Sequence, residues 1–340
     1  MWLFKRFNKP IILRTSNYLK EEYEYVKELY NKTNNNKLYT RLKRLEYQIE
    51  CENNILNELS NSLRAMYIIH DVNLEYLGFK RSINFIVITK HKVYVIESNG
   101  LFGNIKINNK NEFIRIYNDS DKCYEEVIES PIDINDKNLE LLKIIGYQDK
   151  NMIDKLIFDK VFYHDYQSLI VLGNKNSILD DFDASYDIKD KVVRVDKLIN
   201  YIKENDKLHK EKFNDKEMLN IANNILDSHI EPFICYDILY KDYLEDNDNN
   251  SNDDDNNKNK DNKISNVDKM LEKALKKYRY YLARKENVSV YTIFSDKTIK
   301  DLVKNKPFNI ETLENIKGFG KKKIIKYGKK VLEIIKKHCE

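Results

Sequence analysis

The chain has 340 residues, 34% of them charged, a net charge of +4 and a hydropathy typical of a water-exposed globular protein. No run of eighteen apolar residues occurs, so we expect no membrane partner, and no signal peptide is predicted. The length favours two or three domains. The chain has four cysteines without zinc-ligand spacing, which favours reduced thiols in a cytoplasmic protein: Cys51, Cys123, Cys235 and Cys339.

Helices are predicted first, and we assign residues 1–45 to a helical N-terminal extension. Apolar residues recur at helical spacing within Leu19–Tyr30, and a second seam runs through Leu42–Leu63 in alternating steps of three and four. The seam position at 52 is Glu52, so a carboxylate is expected on the buried stripe. It is either a functional group or a charge paired with a nearby Lys or Arg at the edge of the stripe.

Strands follow, and they predict one antiparallel meander. Their limits are His70–Tyr76, Asn84–Thr89, Val93–Glu97, Ile105–Asn108 and Glu112–Tyr117. A helix near Leu139–Ile145 and strands at Leu169–Leu172 and Val192–Val195 are expected to complete the same sheet. The predicted fold class is therefore an α/β sheet domain with N-terminal helices.

Polar side chains collect at one end of this predicted sheet. Residues two apart on a strand share a face, so Glu97 and Asn99 point the same way, and Asn84 begins the preceding strand. We expect Glu52, Asn84, Glu97 and Asn99 to line a single pocket.

These residues also carry a resemblance to a known family. Cys51–Ile55, Ile83–Ile88 and Val95–Asn99 resemble the nuclease-related NERD domain, over roughly residues 46–200. The resemblance implies the restriction-endonuclease-like fold of the PD-(D/E)XK nucleases, and a divalent metal site of carboxylates with one lysine.

The sequence departs from that pattern at two positions. The family has Asp on the first strand and Glu-x-Lys on the second, where this chain has Asn84 and, after Glu97, Asn99. Asparagine offers a metal only a neutral oxygen and supplies no cation. Losing each positioned group costs on the order of 10² to 10³ in rate. We therefore expect Glu52 and Glu97 to belong to a vestigial site in a protein that is not an active enzyme.

Two alternatives remain open from the sequence. In the first, Lys106 or Lys80 replaces the missing cation, and Glu97 with Asn84 holds Mg²⁺ or Mn²⁺ in a working nuclease; otherwise no cofactor is expected. In the second, the chain is a non-enzymatic scaffold that binds a protein partner.

The charge of the chain is divided unevenly. Residues 201–244 are predicted to be helical, and residues 245–263 contain no apolar side chain and predict a disordered linker. From Ile264 to Glu340 there are 20 basic and 9 acidic residues, a net charge of +11. The C-terminal end is therefore expected to meet a polyanion.

Residues 264–340 predict a small all-helical domain. An amphipathic helix begins near Val267, and further helices are expected at Asp296–Val303, Ile310–Ile316 and Lys321–Lys337, the first of these capped by Ser295 or Asp296. The order Tyr291–Asp296, Ile316–Gly320 and Tyr327-Gly328 resembles the HRDC (helicase and RNase D C-terminal) domain. That resemblance implies a helical bundle that assists nucleic-acid engagement by a neighbouring domain.

Two glycines and several lysines lie between the last two predicted helices. Glycines allow a tight turn there, and the exposed backbone N–H groups at the start of the following helix favour binding of phosphate. The predicted nucleic-acid contacts are Lys317, Gly318, Phe319, Gly320, Lys321, Lys322, Lys323 and Lys326. We interpret the chain as a nucleic-acid-binding protein of DNA processing or repair, with DNA favoured over RNA, that holds phosphates without reading bases.

Overall fold

The computed structural model describes residues 8–76, 78–98, 102–119, 122–147, 150–210, 212–232, 234, 236–240, 242–243, 266–286 and 288–339. The chain divides into two compact units, residues 1–27 with 35–231 and residues 28–34 with 232–340. The predicted linker 245–263 and Asn99 lie outside the described residues. Within the described part of the chain, no helix combines the length and the apolar character needed to cross a bilayer.

The first unit contains a mixed α/β arrangement, as the sequence predicts. Its strands are β1 (Pro10–Arg14), β2 (Met66–Tyr76), β3 (Phe79–Ile88), β4 (Val93–Glu97), β5 (Asn104–Ile107), β6 (Phe113–Asp119), β7 (Lys122–Ile128), β8 (Tyr166–Leu172), β9 (Leu179–Asp180) and β10 (Val192–Arg194). Its helices are α1 (Tyr18–Thr33), which continues into the second unit, α2 (Asn36–Ser60), α3 (Pro131–Gly146), α4 (Met152–Asp165), α5 (Tyr186–Lys189), α6 (Leu198–Lys207) and α7 (Asp215–Asp227).

The main sheet has the strand order β1-β2-β3-β4-β8-β10. β2, β3 and β4 are antiparallel neighbours, whereas β1 pairs with β2, and β8 pairs with both β4 and β10, in parallel. The central strands contain continuous buried apolar runs, Phe85–Ile88 in β3, Val93–Ile96 in β4 and Leu169–Leu172 in β8, because helices cover both faces of the sheet there.

The predicted single meander is wrong after β4. β5 and β6 leave the main sheet and form a second sheet with the order β7-β6-β5-β9. The neighbour of β4 is instead β8, which pairs with it in parallel in the register Ile96↔Leu169. β8 thus occupies the position beside β4 that the meander prediction gave to β5. A parallel partner from far along the chain leaves no local turn signal, so the sequence pattern could not identify it.

Each face of the main sheet carries its own core. On one face, α2 and α6 pack Ile55, Leu59, Leu198 and Ile202 against the sheet. On the other, α3 and α7 contribute Leu139, Leu142, Met218 and Ala222. α3 begins at Pro131 with its N-cap at Ser130, and α7 begins with a capping box between Asn214 and Glu217. The unit is therefore a three-layer sandwich of helices, sheet and helices.

The second unit is helical, as predicted. Its elements are α8 (Tyr236–Leu239), α9 (Asn266–Lys285), α10 (Val290–Ile293), α11 (Asp296–Asn305), α12 (Ile310–Glu314), α13 (Lys321–Lys323), a π-helical turn (Ile324–Gly328) and α14 (Lys329–Cys339). The core lies between α9, α11 and α14 and includes Leu275, Phe294, Leu302, Phe319 and Val331. The predicted cap is present, because Ser295 Oγ accepts from the Thr298 N–H at 3.1 Å.

A buried carboxylate joins α8 to α9 within this unit. Asp237 accepts hydrogen bonds from Lys277 Nζ at 2.6 Å and from Lys273 Nζ at 3.0 Å, and it is 4% exposed. Burial alone would raise the pKa of Asp237, but the two lysines outweigh burial and lower the pKa to about 2. The chain on both sides of residues 244–265 therefore belongs to one unit.

Candidate functional site

Glu52 lies beside the buried stripe of α2. The buried members of the helix are Leu38, Leu42, Leu45, Cys51, Ile55 and Leu59. The core position at this turn thus belongs to Cys51, and the expectation that Glu52 occupies the stripe is wrong by one position. α2 approaches the end of β8 so closely here that a Cβ on Gly173 would lie 2.6 Å from the Cys51 Cβ. The apolar stripe was also predicted to extend too far along the chain. Leu63, its last predicted member, follows the end of α2 and is 78% exposed.

The partner of Glu52 is a histidine that the sequence analysis did not identify. His70 Nε2 lies 3.1 Å from Glu52 Oε2, and the imidazole stacks on Phe85 with ring centroids 4.6 Å apart. A cavity of about 180 Å³ is lined by Glu52 and His70 and, from the start of the unit, by Thr15, Ser16, Asn17, Leu19 and Lys20. The described lining of this cavity includes neither Asn84 nor Glu97. The one feature of the sequence that could have pointed to His70 is its position at the start of the predicted strand His70–Tyr76.

Asn84 and Glu97 are neighbours on β3 and β4. The Phe85↔Ile96 register continues to place Asn84 opposite Glu97, and both side chains are buried, at 2% and 4% exposure. The Asn84 Oδ1 accepts a hydrogen bond from the Ser98 N–H at 2.9 Å. The carboxamide oxygen is thereby used to hold the end of β4.

The family resemblance implies a divalent metal, and two of the residues expected around it, Glu52 and Asn84, each have another partner. Such a cation needs charged oxygen ligands that converge on one point. Glu52 is engaged by His70, and the Asn84 oxygen is engaged by a backbone amide. In the part of the chain that the structure describes, no three His, Cys, Asp or Glu side chains are grouped to hold a metal ion.

Neither candidate replacement lysine lies in the Glu52 cavity. Lys80 extends from the β2–β3 hairpin, where its Nζ is 3.2 Å from Glu75 Oε2 and its side chain is 59% exposed. Lys106 lies on β5 in the second sheet.

The predicted lysine-rich turn is held rigidly in the helical unit. Gly318 has φ +92°, a conformation that side chains disfavour, and a Cβ there would lie 2.5 Å from Thr298 Oγ1. That hydroxyl donates to the Lys317 carbonyl oxygen at 3.2 Å. Phe319 is 1% exposed and packs against Phe294 with ring centroids 5.7 Å apart. Phe319 thus anchors the turn in the core.

The cations around this turn differ in their environment. Lys317, Lys321 and Lys322 are exposed and Lys323 is half-buried, and none of them has an ion pair with a described residue. Lys326 Nζ instead bonds Glu286 Oε2 at 2.5 Å, and this ion pair raises the pKa of Lys326.

The helix start at the turn presents backbone donors. Gly320 is the N-cap of α13 and has no side chain that could accept from the first N–H groups of the helix. The helix continues through the π-helical turn into α14. The turn therefore places open amides beside three exposed ammonium groups.

Comparison with known proteins identifies both domains. The family model described as nuclease-related domain matches residues 48–172, and the model described as HRDC domain matches residues 268–335. Among solved structures, the third HRDC domain of RecQ from D. radiodurans matches with 26% identity and a TM-score of 0.21, covering 22% of this chain and 96% of that one. The chain therefore carries a NERD domain followed by an HRDC domain.

Proposed function

We propose that the protein binds DNA in a processing or repair role in the cytoplasm, with the HRDC domain contacting phosphates and the NERD domain carrying a degraded catalytic site. The observation that carries the proposal is the rigid turn at Gly318, which gathers three exposed lysines and open helix amides. The NERD and HRDC matches support a function related to nucleic acid.

The chemistry of the turn suits phosphate contact more than base reading. Lysine ammonium groups are mobile point charges, and backbone N–H groups at a helix start favour an anion. Phe319 has its ring in the core, so it offers no stacking face to a base. Affinity should therefore depend steeply on salt and weakly on sequence.

The binding test uses the full chain and fluorescently labelled DNA, with RNA as the comparison, in anisotropy titrations at several salt concentrations. Changing Lys317, Lys321 and Lys322 together to Gln should weaken binding and reduce the salt slope by about 2 to 3, since each phosphate contact contributes roughly 0.7 to 0.9. The matched control changes three exposed lysines outside the turn, Lys269, Lys300 and Lys304. Equal losses in both triple variants would contradict the role of the turn.

The degraded catalytic site is the second half of the proposal. Its support is that Glu52 is paired with His70, and that Asn84 accepts from the Ser98 N–H where the family pattern has a metal-binding Asp. A neutral amide committed to the backbone is a poor ligand for Mg²⁺.

Supercoiled plasmid incubated with the full chain and Mg²⁺ or Mn²⁺ should remain intact. Nicking that disappears in a Glu97→Gln variant would show an active metal-dependent nuclease and overturn this half of the proposal. The control is Glu50→Gln, an exposed carboxylate on α2 that should leave any such activity unchanged.

A further inference from the structure

A cleft of about 170 Å³ opens in the first unit beside the end of β4. Its described lining residues are Arg41, Arg44, Tyr47, Gln48, Cys51, Ser98, Phe102 and Arg115. Three of them are arginines and none is a carboxylate. Ser98 directly follows Glu97, so the cleft lies at the strand end where the family pattern places its chemistry.

The charges of the three arginines are only partly compensated. Arg41 bonds Glu22 Oε1 through Nε at 2.9 Å and through Nη2 at 2.5 Å, and Arg115 Nη1 bonds Glu126. Arg44 is exposed and has no ion pair with any described residue. The cleft therefore holds one more cation than its described carboxylate partners neutralise.

An aromatic ring fixes two of the guanidinium groups. The Arg115 guanidinium lies 3.9 Å from the centroid of the Phe102 ring and that of Arg44 lies 5.8 Å from it. Phe102 is held in turn by edge contacts with Tyr47 and Tyr117, at 6.2 and 5.4 Å. Stacked guanidinium groups keep their N–H edges available for an anion, and their planar fork matches phosphate oxygens.

The remaining polar groups of the cleft are neutral. Burial raises the pKa of the Cys51 thiol to about 12 and also raises the pKa of the Tyr47 hydroxyl, so both stay protonated at neutral pH. The Gln48 carboxamide oxygen is buried without a hydrogen-bond partner among the described atoms. Rotating that amide by 180° would turn its NH₂ to the same place. Among its described lining residues, the cleft thus has an unused polar group and no carboxylate.

We propose that this cleft binds a phosphate group of the DNA backbone, with Arg44 as its principal contact. This inference rests on the proposed function. The cleft is smaller than the roughly 300 Å³ at which pockets accept whole small molecules, so it admits a phosphate and not a flipped nucleotide. Backbone contact at this strand end gives the NERD domain a DNA-holding role that needs no metal ion.

The experiment measures binding of labelled DNA to the full-length Arg44→Gln variant. Loss of one charge-assisted contact should weaken binding roughly 5- to 20-fold and reduce the salt slope by roughly 0.7 to 0.9. Lys43→Gln is the matched control, because Lys43 is the neighbouring exposed cation on α2, pairs with Glu46 and does not line the cleft. Arg44→Lys keeps the charge but loses the fork, and should give an intermediate affinity.

The outcomes separate the two proposals. If the wild-type protein does not bind DNA, the proposed function fails and this inference fails with it. If the wild type binds, and the triple lysine variant of the HRDC turn weakens binding while Arg44→Gln equals Lys43→Gln, only this inference is overturned. A loss specific to Arg44→Gln supports it.

Discussion

Replacing Gly318 by alanine is expected to destabilise the helical unit by about 2 to 3 kcal/mol. A residue with a Cβ pays about 1 to 2 kcal/mol for a left-handed backbone, and Gly318 has φ +92°. The new methyl group would also lie 2.5 Å from Thr298 Oγ1, which must move and give up its bond to the Lys317 carbonyl oxygen. Losing that bond costs about 1 kcal/mol more.

Hydrogen exchange of the full chain is the suitable assay, because two units need not unfold together. Amides of α11 and α14 should lose protection by a factor of roughly 30 to 150 in Gly318→Ala, since each 1.4 kcal/mol is about tenfold. Gly320→Ala is the matched control, because Gly320 has φ −72° and open space where its Cβ would lie. Similar protection in both variants would refute the reasoning.

Three further predictions concern buried groups. Asp237→Asn should lower the free energy of unfolding of the helical unit by about 2 kcal/mol at pH 7, measured by denaturation. Its folded pKa is lowered to about 2, so the difference from wild type should shrink as the pH falls from about 4 towards 2. Glu52→Ala should cost about 1 to 3 kcal/mol of stability, because it leaves the buried His70 without its partner. Iodoacetamide at pH 8 should alkylate the exposed Cys123 and spare the buried Cys51, as read by mass spectrometry.

Each of these has a control or a contrary result. Asp242→Asn changes an exposed carboxylate and should leave unfolding within about 0.5 kcal/mol of wild type at both pH values. Glu50→Ala is the control for Glu52→Ala, because it removes an exposed carboxylate from α2 and should leave the free energy of unfolding within about 0.5 kcal/mol of wild type. Rapid alkylation of Cys51 in the folded protein would show that the thiol is neither buried nor protonated as described.

The helical unit was the more predictable half. Its core residues recur at local helical spacing, and its caps use side chains within three residues of the helix start, as at Ser295. Such signals are contained in one stretch of chain, so the sequence displays them. The limits of the predicted domains, 46–200 and 264–340, stay predictions.

The sheet unit was less predictable because its pairings are distant. The strand pattern identified β2, β3 and β4, but nothing local indicates that β1 pairs with β2 or that β8 replaces β5 beside β4. α4 was missed for another reason: Met152, Ile153 and Leu156 are all more than half exposed, so the helix lacks a clear buried stripe.

The candidate site was predicted in part. The structure places Asn84 opposite Glu97 on adjacent strands, but β3 begins at Phe79, so Asn84 lies within the strand and not at its predicted start. The partner of Glu52 depends on which side chain of β2 faces α2. The sequence of α2 alone does not indicate this, because the two elements meet only in the folded unit. The arginine cleft likewise joins α2 to β6, residues more than sixty positions apart.

The Asp237 contact with α9 changes how the chain around residues 244–265 should be regarded. Because the residues before and after that stretch belong to the same unit, its two flanks are held in one folded body by contacts such as that of Asp237 with Lys277. Doubling the length of a flexible segment with fixed ends costs only about 0.6 kcal/mol of closure entropy. Inserting polar residues between Asp237 and Lys273 should therefore change the stability of the helical unit by less than losing either lysine contact would.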